Sequence, residues 1–219
     1  MKVLISPVSL DEVALVSKLG VDVVDLKNTD EGSLGAAAPW MVAEAVRRLK
    51  GAGIPVSAAL GDLSFQPGTA ALAALGAAHC GVDYVKAGLR GVRNRGEAVE
   101  VMRAVRRAAK SVRPAIRVVA AGYGDHRRFD GLSPAELVEA ARESRSDAVL
   151  LDTWIKDGSS LFEALSPAEI RGFVEAARRS GLEVALAGSI DETHLARLRE
   201  IGPDFIGVRG ALCDEGDRR

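Results

Sequence analysis

The chain has 219 residues, a length typical of one large domain or two small ones. Its 29 basic and 30 acidic residues leave a net charge of −1, so neither nucleic acid nor an anionic membrane is expected as a partner. Aromatic residues make up only 4%, which predicts a core of aliphatic side chains. Two cysteines are too few for a disulfide framework, and no apolar run has the length of a membrane span. These features favour a cytoplasmic protein.

Eight short runs rich in β-branched residues recur along the chain, and helical patterns separate them. Two of the intervening helices are predicted to begin with a serine followed directly by proline, with glutamate three residues after the serine, at Ser133–Glu136 and Ser166–Glu169. A capping box is also predicted at Ser9–Glu12. The predicted strands are Lys2–Ser6, Asp22–Lys27, Ile54–Leu60, Asp83–Gly88, Ile116–Ala121, Asp147–Asp152, Glu183–Gly188 and Phe205–Val208.

Strict alternation of strand and helix predicts parallel strands joined by right-handed crossovers. Eight such units favour an α/β fold, a single-domain (β/α)8 TIM barrel over residues 1–219, with a loose polar tail at 214–219. An open, doubly wound sheet with fewer strands is the alternative. In a closed barrel, functional side chains collect at the C-terminal ends of the strands.

The second predicted strand ends in charged residues. Side chains alternate along a strand, so Asp25 and Lys27 share one face while Val24 and Leu26 share the other. If the apolar face packs on the helices, Asp25 and Lys27 point into the barrel mouth. Burial lowers the pKa of a lysine, and a neighbouring carboxylate raises it again. The alternative is an ordinary solvated pair of charges at a strand end.

The fourth and sixth strands add further charged residues. Lys86 lies near the end of the fourth strand, on the face that also carries Tyr84 and Gly88. Asp152 ends the sixth strand, and Lys156 follows in the loop beyond it. Strands two, four and six contribute to the same interior layers of a barrel, so their lysines and aspartates are predicted to converge.

The seventh and eighth strands end in glycine-rich loops that are candidates for binding phosphate. Such loops bind phosphate in many barrel enzymes, because backbone N–H groups there can approach an anion. A bidentate side-chain contact is available from the arginine of the second loop. The alternative is ordinary turn chemistry. The predicted phosphate-binding residues are Gly188, Ser189, Arg209 and Gly210.

Two further loops on the same face, at residues 28–36 and 61–69, are long and contain glycine. Each is interpreted either as a lid that excludes water or as a plain surface loop. Histidines and carboxylates do not occur at zinc-ligand spacing, so no metal is expected. Of the three histidines, only His126 follows a strand closely enough to be a candidate for the rim of the site.

Several short motifs together resemble the (5-formylfuran-3-yl)methyl phosphate synthase family of methanofuran biosynthesis. The resemblance covers nearly the whole chain. The motifs are Asp25-Leu26-Lys27-Asn28, Glu31-Gly32-Ser33-Leu34-Gly35, Pro39-Trp40, Lys86-Ala87-Gly88-Leu89, Ala120-Ala121-Gly122-Tyr123, Leu151-Asp152-Thr153, Ile155-Lys156-Asp157-Gly158, Ala187-Gly188-Ser189-Ile190 and Gly207-Val208-Arg209-Gly210-Ala211.

The resemblance implies a (β/α)8-barrel lyase that condenses two molecules of glyceraldehyde 3-phosphate into a phosphorylated furan aldehyde, with loss of phosphate and water. It implies that Lys27 forms an imine with the substrate and that Lys86 relays protons, with Asp25, Asp152 and Lys156 as further active-site residues. No cofactor is expected, because the reaction has no redox step. Oligomeric state is left open. The alternatives are a class I aldolase acting on another phosphorylated sugar and a non-catalytic barrel that binds phosphate.

Overall fold

The computed structural model describes residues 1–213, and within them eight parallel strands close into one barrel in chain order. The strands β1 to β8 are Lys2–Ile5, Val23–Leu26, Val56–Ser64, Tyr84–Gly91, Arg117–Tyr123, Ala148–Asp152, Glu183–Leu186 and Phe205–Val208. The helices α1 to α8 are Leu10–Val16, Pro39–Leu49, Pro67–His79, Arg95–Val112, Pro134–Ser144, Leu161–Ala164, Pro167–Arg179 and Leu195–Ile201. The predicted loose tail at 214–219 lies outside the described residues.

The (β/α)8 barrel predicted from strand–helix alternation is confirmed, and the open-sheet alternative is wrong. Strand β1 pairs in parallel with β8 as well as with β2, which closes the sheet. Among the described residues, β8 is followed only by a short 3-10 turn at Gly210–Leu212. No helix in that part of the chain combines the length and the apolar character needed to cross a bilayer.

The core has two parts, because alternate strand residues face opposite sides. The larger part lies between strands and helices and includes Val24 and Leu26, both fully buried. Complete burial of such a side chain contributes about 1.5–3 kcal/mol. The smaller part fills the barrel interior and is built largely from small residues such as Ala59 and Ala121. Aromatic rings, among them Tyr123 and Trp154, complete this interior cluster.

The predicted helix starts are mostly confirmed. Capping boxes form at Ser133 and at Ser166, each followed by proline in the first turn. The box predicted at Ser9 forms only in part. Ser9 Oγ accepts the N–H of Glu12, but the Glu12 carboxylate accepts the N–H of Val8 instead and pairs with Arg209.

Strand bounds differ from the sequence prediction mainly at the mouth. Strand β3 runs on to Ser64 rather than ending at Leu60, because it pairs with β4 past a bulge. The first four of the nine residues in the predicted loop at 61–69 are therefore strand. Strand β7 ends at Leu186, before Gly188, whose φ of 102° takes the chain out of the extended conformation.

The base of the barrel carries a four-fold pattern of aspartates. One aspartate precedes each even-numbered strand, and its carboxylate accepts a backbone N–H from the preceding odd-numbered strand, at 2.8–2.9 Å. The backbone N–H of the same aspartate donates to the carbonyl of that same residue. Each aspartate thus bonds both the N–H and the carbonyl of one residue near the start of the neighbouring strand, where the parallel pairing begins. The four residues are Asp22, Asp83, Asp147 and Asp204.

Candidate active site

A buried ion pair joins β2 and β4 at the C-terminal mouth of the barrel. Lys86 Nζ lies 2.5 Å from Asp25 Oδ2, and the two side chains are 5% and 1% exposed. Ser6 Oγ donates to the same carboxylate oxygen at 3.0 Å. The other oxygen, Asp25 Oδ1, is buried and has no hydrogen-bond partner among residues 1–213. An unsatisfied buried oxygen costs stability, so its presence in a pocket points to a role in binding or proton transfer.

A second pair extends from the end of β6. Lys156 Nζ lies 2.8 Å from Asp152 Oδ1 and 3.1 Å from Thr153 Oγ1. Burial alone raises the pKa of Asp152, but Lys156 and Lys27 outweigh this effect and, with the N–H of Thr153, lower it to about 2. Asp152 is therefore a fixed negative charge at neutral pH.

Lys27 lies in the same pocket as the two pairs but forms no ion pair of its own within the described residues. Burial lowers the pKa of Lys27 to about 8; Asp152 and Asp25 oppose the shift, while Lys86 and Lys156 add to it. About a tenth of an amine with this pKa is neutral at pH 7. A buried, partly neutral amine without an ion-pair partner is suited to attack a carbonyl group.

The predicted phosphate loops form another part of the wall of this pocket. Gly188, Ser189 and Gly210 line it together with Lys27. Gly188 has a φ of 102°, and a Cβ there would lie 2.9 Å from the backbone nitrogen of Thr153, so only glycine fits. Ser189 also adopts a left-handed φ, of 49°, which is uncommon outside glycine and indicates a strained, specific turn.

Arg209 lines the pocket, but its guanidinium group forms hydrogen bonds with Ser6 and Glu12. Its Nη1 donates to the Ser6 carbonyl and to Glu12 Oε2, both at 2.8 Å, and the side chain is 4% exposed. Burial raises the pKa of Glu12, but the hydrogen bonds that its carboxylate accepts from Arg209 and from the Val8 N–H outweigh this effect and lower the pKa below its usual value. A bidentate phosphate contact by Arg209 stays a prediction, and it requires a different side-chain arrangement from this one.

Two residues at the mouth were not among the predicted site residues. Asp62, on β3, accepts a hydrogen bond from the Tyr123 hydroxyl on β5 and another from the Leu34 N–H. Sequence analysis assigned Asp62 to a loop, because it did not anticipate the bulge that extends β3. Tyr123 carried a usable signal, since it shares the inward face of β5 with Val119 and Ala121.

The structure thus brings the predicted site residues together. Asp25, Lys27, Lys86 and Asp152 line one pocket with the phosphate loops, and Lys156 reaches it through Asp152. The loop at 28–36 packs over the mouth, where Ser33 Oγ donates to the Thr153 carbonyl and Leu34 is fully buried. Whether this loop moves as a lid stays a prediction. His126 is buried, and its Nδ1 contacts the Gly124 carbonyl.

A closed (β/α)8 barrel with lysines and carboxylates buried at its C-terminal mouth defines a class, the barrel enzymes that act on small molecules. Solved structures similar in fold include a deoxyribose phosphate aldolase from Aeropyrum pernix, 17% identical, with a TM-score of 0.66 over 96% of this chain and 85% of that one. A 2,3-dimethylmalate lyase is also 17% identical, with a TM-score of 0.68 over 97% of this chain and 76% of that one.

Sequence comparison identifies the family within this class. The profile described as 4-HFC-P synthase matches residues 3–219, and the chain belongs to this family. A (5-formylfuran-3-yl)methyl phosphate synthase from Archaeoglobus fulgidus is 50% identical over 218 residues, covering 100% of this chain and 92% of the relative. The protein of the same name from Methanothermobacter thermautotrophicus is 48% identical over 218 residues with the same coverage. The chain is therefore an enzyme of this family.

Proposed function

We propose that this protein is a (5-formylfuran-3-yl)methyl phosphate synthase that serves methanofuran biosynthesis and condenses two molecules of glyceraldehyde 3-phosphate through an imine at Lys27. The observation that carries the proposal is the state of Lys27. Its amine is buried between two ion pairs, has no ion-pair partner among residues 1–213, and has a pKa lowered to about 8. Family membership and the names of the relatives supply the product.

The first steps follow from this geometry. The neutral Lys27 amine attacks the carbonyl of one triose phosphate, and the imine then acts as an electron sink for the adjacent carbon. A proton leaves that carbon for Lys86, while Asp152, whose pKa is lowered to about 2, stays ionised and balances positive charge in the pocket. The enamine carbon attacks the aldehyde of the second triose phosphate. Loss of one phosphate and two waters closes the furan and balances the atoms, with no net oxidation or reduction.

The pocket wall formed by the loops after β7 and β8 suits a phosphate group. Backbone N–H groups at Gly188, Ser189 and Gly210 face an anion at short range if the phosphate occupies the turn that Gly188 makes possible. A crystal soaked in phosphate or sulfate is expected to hold the anion beside Ser189 and Gly210. Ordered anions elsewhere on the molecule, with this pocket vacant, count against the assignment.

The direct test is product analysis. The pure protein incubated with glyceraldehyde 3-phosphate alone is expected to release inorganic phosphate and to form a furan chromophore, at one phosphate per furan. A class I aldolase gives a sugar phosphate without the chromophore, and a non-catalytic barrel gives neither product. Lys27→Ala is the matched control, because it removes the amine and keeps both flanking ion pairs.

A further inference from the structure

A bulge on β3 turns Asp62 into the barrel mouth. Ala59 pairs with Lys86 and Asp62 pairs with Gly88, so three steps on β3 lie against two on β4. Gly61 lies within the bulge, with a φ of 110°. The extra residue reverses the alternation of β3, so Asp62 faces the same side as Lys86 and Gly88 rather than the helices.

The carboxylate of Asp62 is held on both oxygens. Oδ1 accepts the Tyr123 hydroxyl, and Oδ2 accepts the Leu34 N–H at 3.1 Å. Two glycines make room for it. A Cβ on Gly32 would lie 2.3 Å from Asp62 Oδ2, and a Cβ on Gly88 would lie 2.6 Å from Asp62 Oδ1. Two segments of chain thus leave space for one carboxyl group. A residue that only filled a strand position would not need this space.

Asp62 belongs to the electrostatic environment of the active site. Burial raises the pKa of Asp62 to about 6, and Asp152 adds to the shift, while the Leu34 N–H, Lys156 and Lys27 oppose it. Tyr123 is the further titratable group in contact with Asp62. Near neutral pH both protonation states of such a carboxyl group are populated, which is the condition for an efficient proton donor.

The position of Asp62 relative to Lys27 fits the second substrate. The pocket around Lys27 is walled by β1, β2, β4 and β6–β8, and its phosphate loops follow β7 and β8. Asp62 and Tyr123 lie on β3 and β5, the strands that contribute nothing to that wall. Asp62 faces the mouth from the β3–β5 side, where the charge of Lys27 acts on its carboxyl group, so a second molecule that meets the enamine from this side would reach it.

We propose that Asp62 is a further catalytic residue, which donates a proton to the aldehyde oxygen of the second triose phosphate, and that Tyr123 positions it. This inference rests on the proposed function. In this step the enamine electrons form the new carbon–carbon bond and the C=O π electrons move to oxygen. The Asp62 O–H bond breaks and an O–H bond forms on the substrate. The imine on Lys27 is restored, Asp62 is left as a carboxylate, and a proton from water returns it to the acid form.

Asp62→Asn tests the proposal on the whole protein. Furan formation is expected to fall by about 10²–10⁴-fold, the usual contribution of a general acid. Borohydride trapping of the first triose phosphate at Lys27 is expected to continue at the wild-type level, since that step precedes the action of Asp62. Asp147→Asn is the matched control, because it removes a carboxylate at the opposite end of the barrel, where it also accepts a backbone N–H; it is expected to retain wild-type turnover.

The pH dependence of kcat/KM distinguishes a catalytic role of Asp62 from a purely structural one. With Asp62 as acid and Lys27 as base, kcat/KM is expected to be level between about pH 6 and 8 and to fall on both sides. The residual activity of Asp62→Asn is expected to rise up to about pH 8 and stay level above it. Tyr123→Phe removes a hydrogen bond to the carboxylate, which raises the pKa of Asp62 and moves the acidic limb to higher pH.

Each outcome decides the matter. Wild-type furan formation by Asp62→Asn overturns the proposal, and so does a loss of Lys27 trapping in parallel with turnover, because that means a damaged pocket. An acidic limb unmoved in Tyr123→Phe overturns the role of Tyr123. If the wild-type protein itself forms no furan, the proposed function fails and this inference fails with it, whereas a wild-type protein that forms furan leaves the variants to decide on Asp62 alone.

Discussion

The two ends of the barrel use aspartate in opposite ways. At the base, carboxylates accept backbone N–H groups and stay in contact with water; the side chains of Asp83 and Asp147 are 42% and 24% exposed. At the mouth, the side chains of Asp25 and Asp152 are 1% and 4% exposed and each pairs with a lysine. The base aspartates complete hydrogen bonding where strands begin, and the mouth aspartates control the charge and proton affinity of lysines. Burial, rather than residue type, separates structural from chemical carboxylates, because Asp147 at the base also pairs with a lysine, Lys110.

The largest effect is expected from breaking the Lys86–Asp25 pair at the mouth. Lys86→Met keeps the side-chain volume and leaves Asp25 buried without its cation, so stability is expected to fall by about 3–5 kcal/mol. Turnover is expected to fall by about 10²–10⁴-fold if Lys86 relays protons. Denaturant unfolding and furan formation measure the two effects.

The double variant Lys86→Met/Asp25→Asn sharpens this test. It removes both charges, so most of the lost stability is expected to return while turnover stays low. Recovery of turnover in the double variant contradicts a proton-transfer role for the pair.

A gain in stability is expected when the buried amine is removed. The pKa of Lys27 is about 8 in the folded protein against an ordinary value of 10.5, so between pH 8 and 10.5 folding releases the proton of this amine. Lys27→Met is therefore expected to be more stable below pH 8 by up to about 3 kcal/mol, at about 1.4 kcal/mol for each pKa unit. The advantage is expected to shrink between pH 8 and 10.5, where the unfolded wild-type chain loses its proton too. Unfolding curves at pH 7 and 10 measure this, and an equal difference at both values contradicts a lowered pKa.

A loss of stability without loss of chemistry is expected at the base. Asp204→Ala removes the acceptor of the Val184 N–H, which lies 2.8 Å from Asp204 Oδ2, so stability is expected to fall by about 1–3 kcal/mol. Asp204→Asn keeps an acceptor oxygen and is expected to lose less. Both variants should retain wild-type turnover when folded. A fall in kcat without a loss of folded protein in either variant contradicts a purely structural role for the aspartates at the base of the barrel.

The smallest effect is expected from metal chelation. No group of three or more His, Cys, Asp and Glu side chains in the described part of the chain is arranged to hold a metal ion, and the proposed imine would itself provide the electron sink. Turnover is expected to be unchanged by EDTA. Loss of activity that one added metal restores contradicts this expectation.

Sequence periodicity was sufficient to place a side chain inside or outside the barrel wherever its strand kept a regular alternation. The placement of Asp25, Lys27 and Lys86 in the mouth followed from period two alone, and the barrel followed from eight alternating units. Asp62 could not be placed in this way, because the bulge at Gly61 reverses the alternation of β3. The Arg209–Glu12 pair joins residues 197 positions apart, a contact that only barrel closure creates.

The central claim is that Lys27, rather than Lys86 or Lys156, forms the imine. Its most direct test is borohydride reduction of the protein in the presence of glyceraldehyde 3-phosphate, followed by mass analysis of the peptides. The account predicts a triose-phosphate-derived mass on the peptide that contains Lys27, and no adduct or turnover in Lys27→Ala. An adduct found only on Lys86 or Lys156, with Lys27→Ala still active, would contradict it.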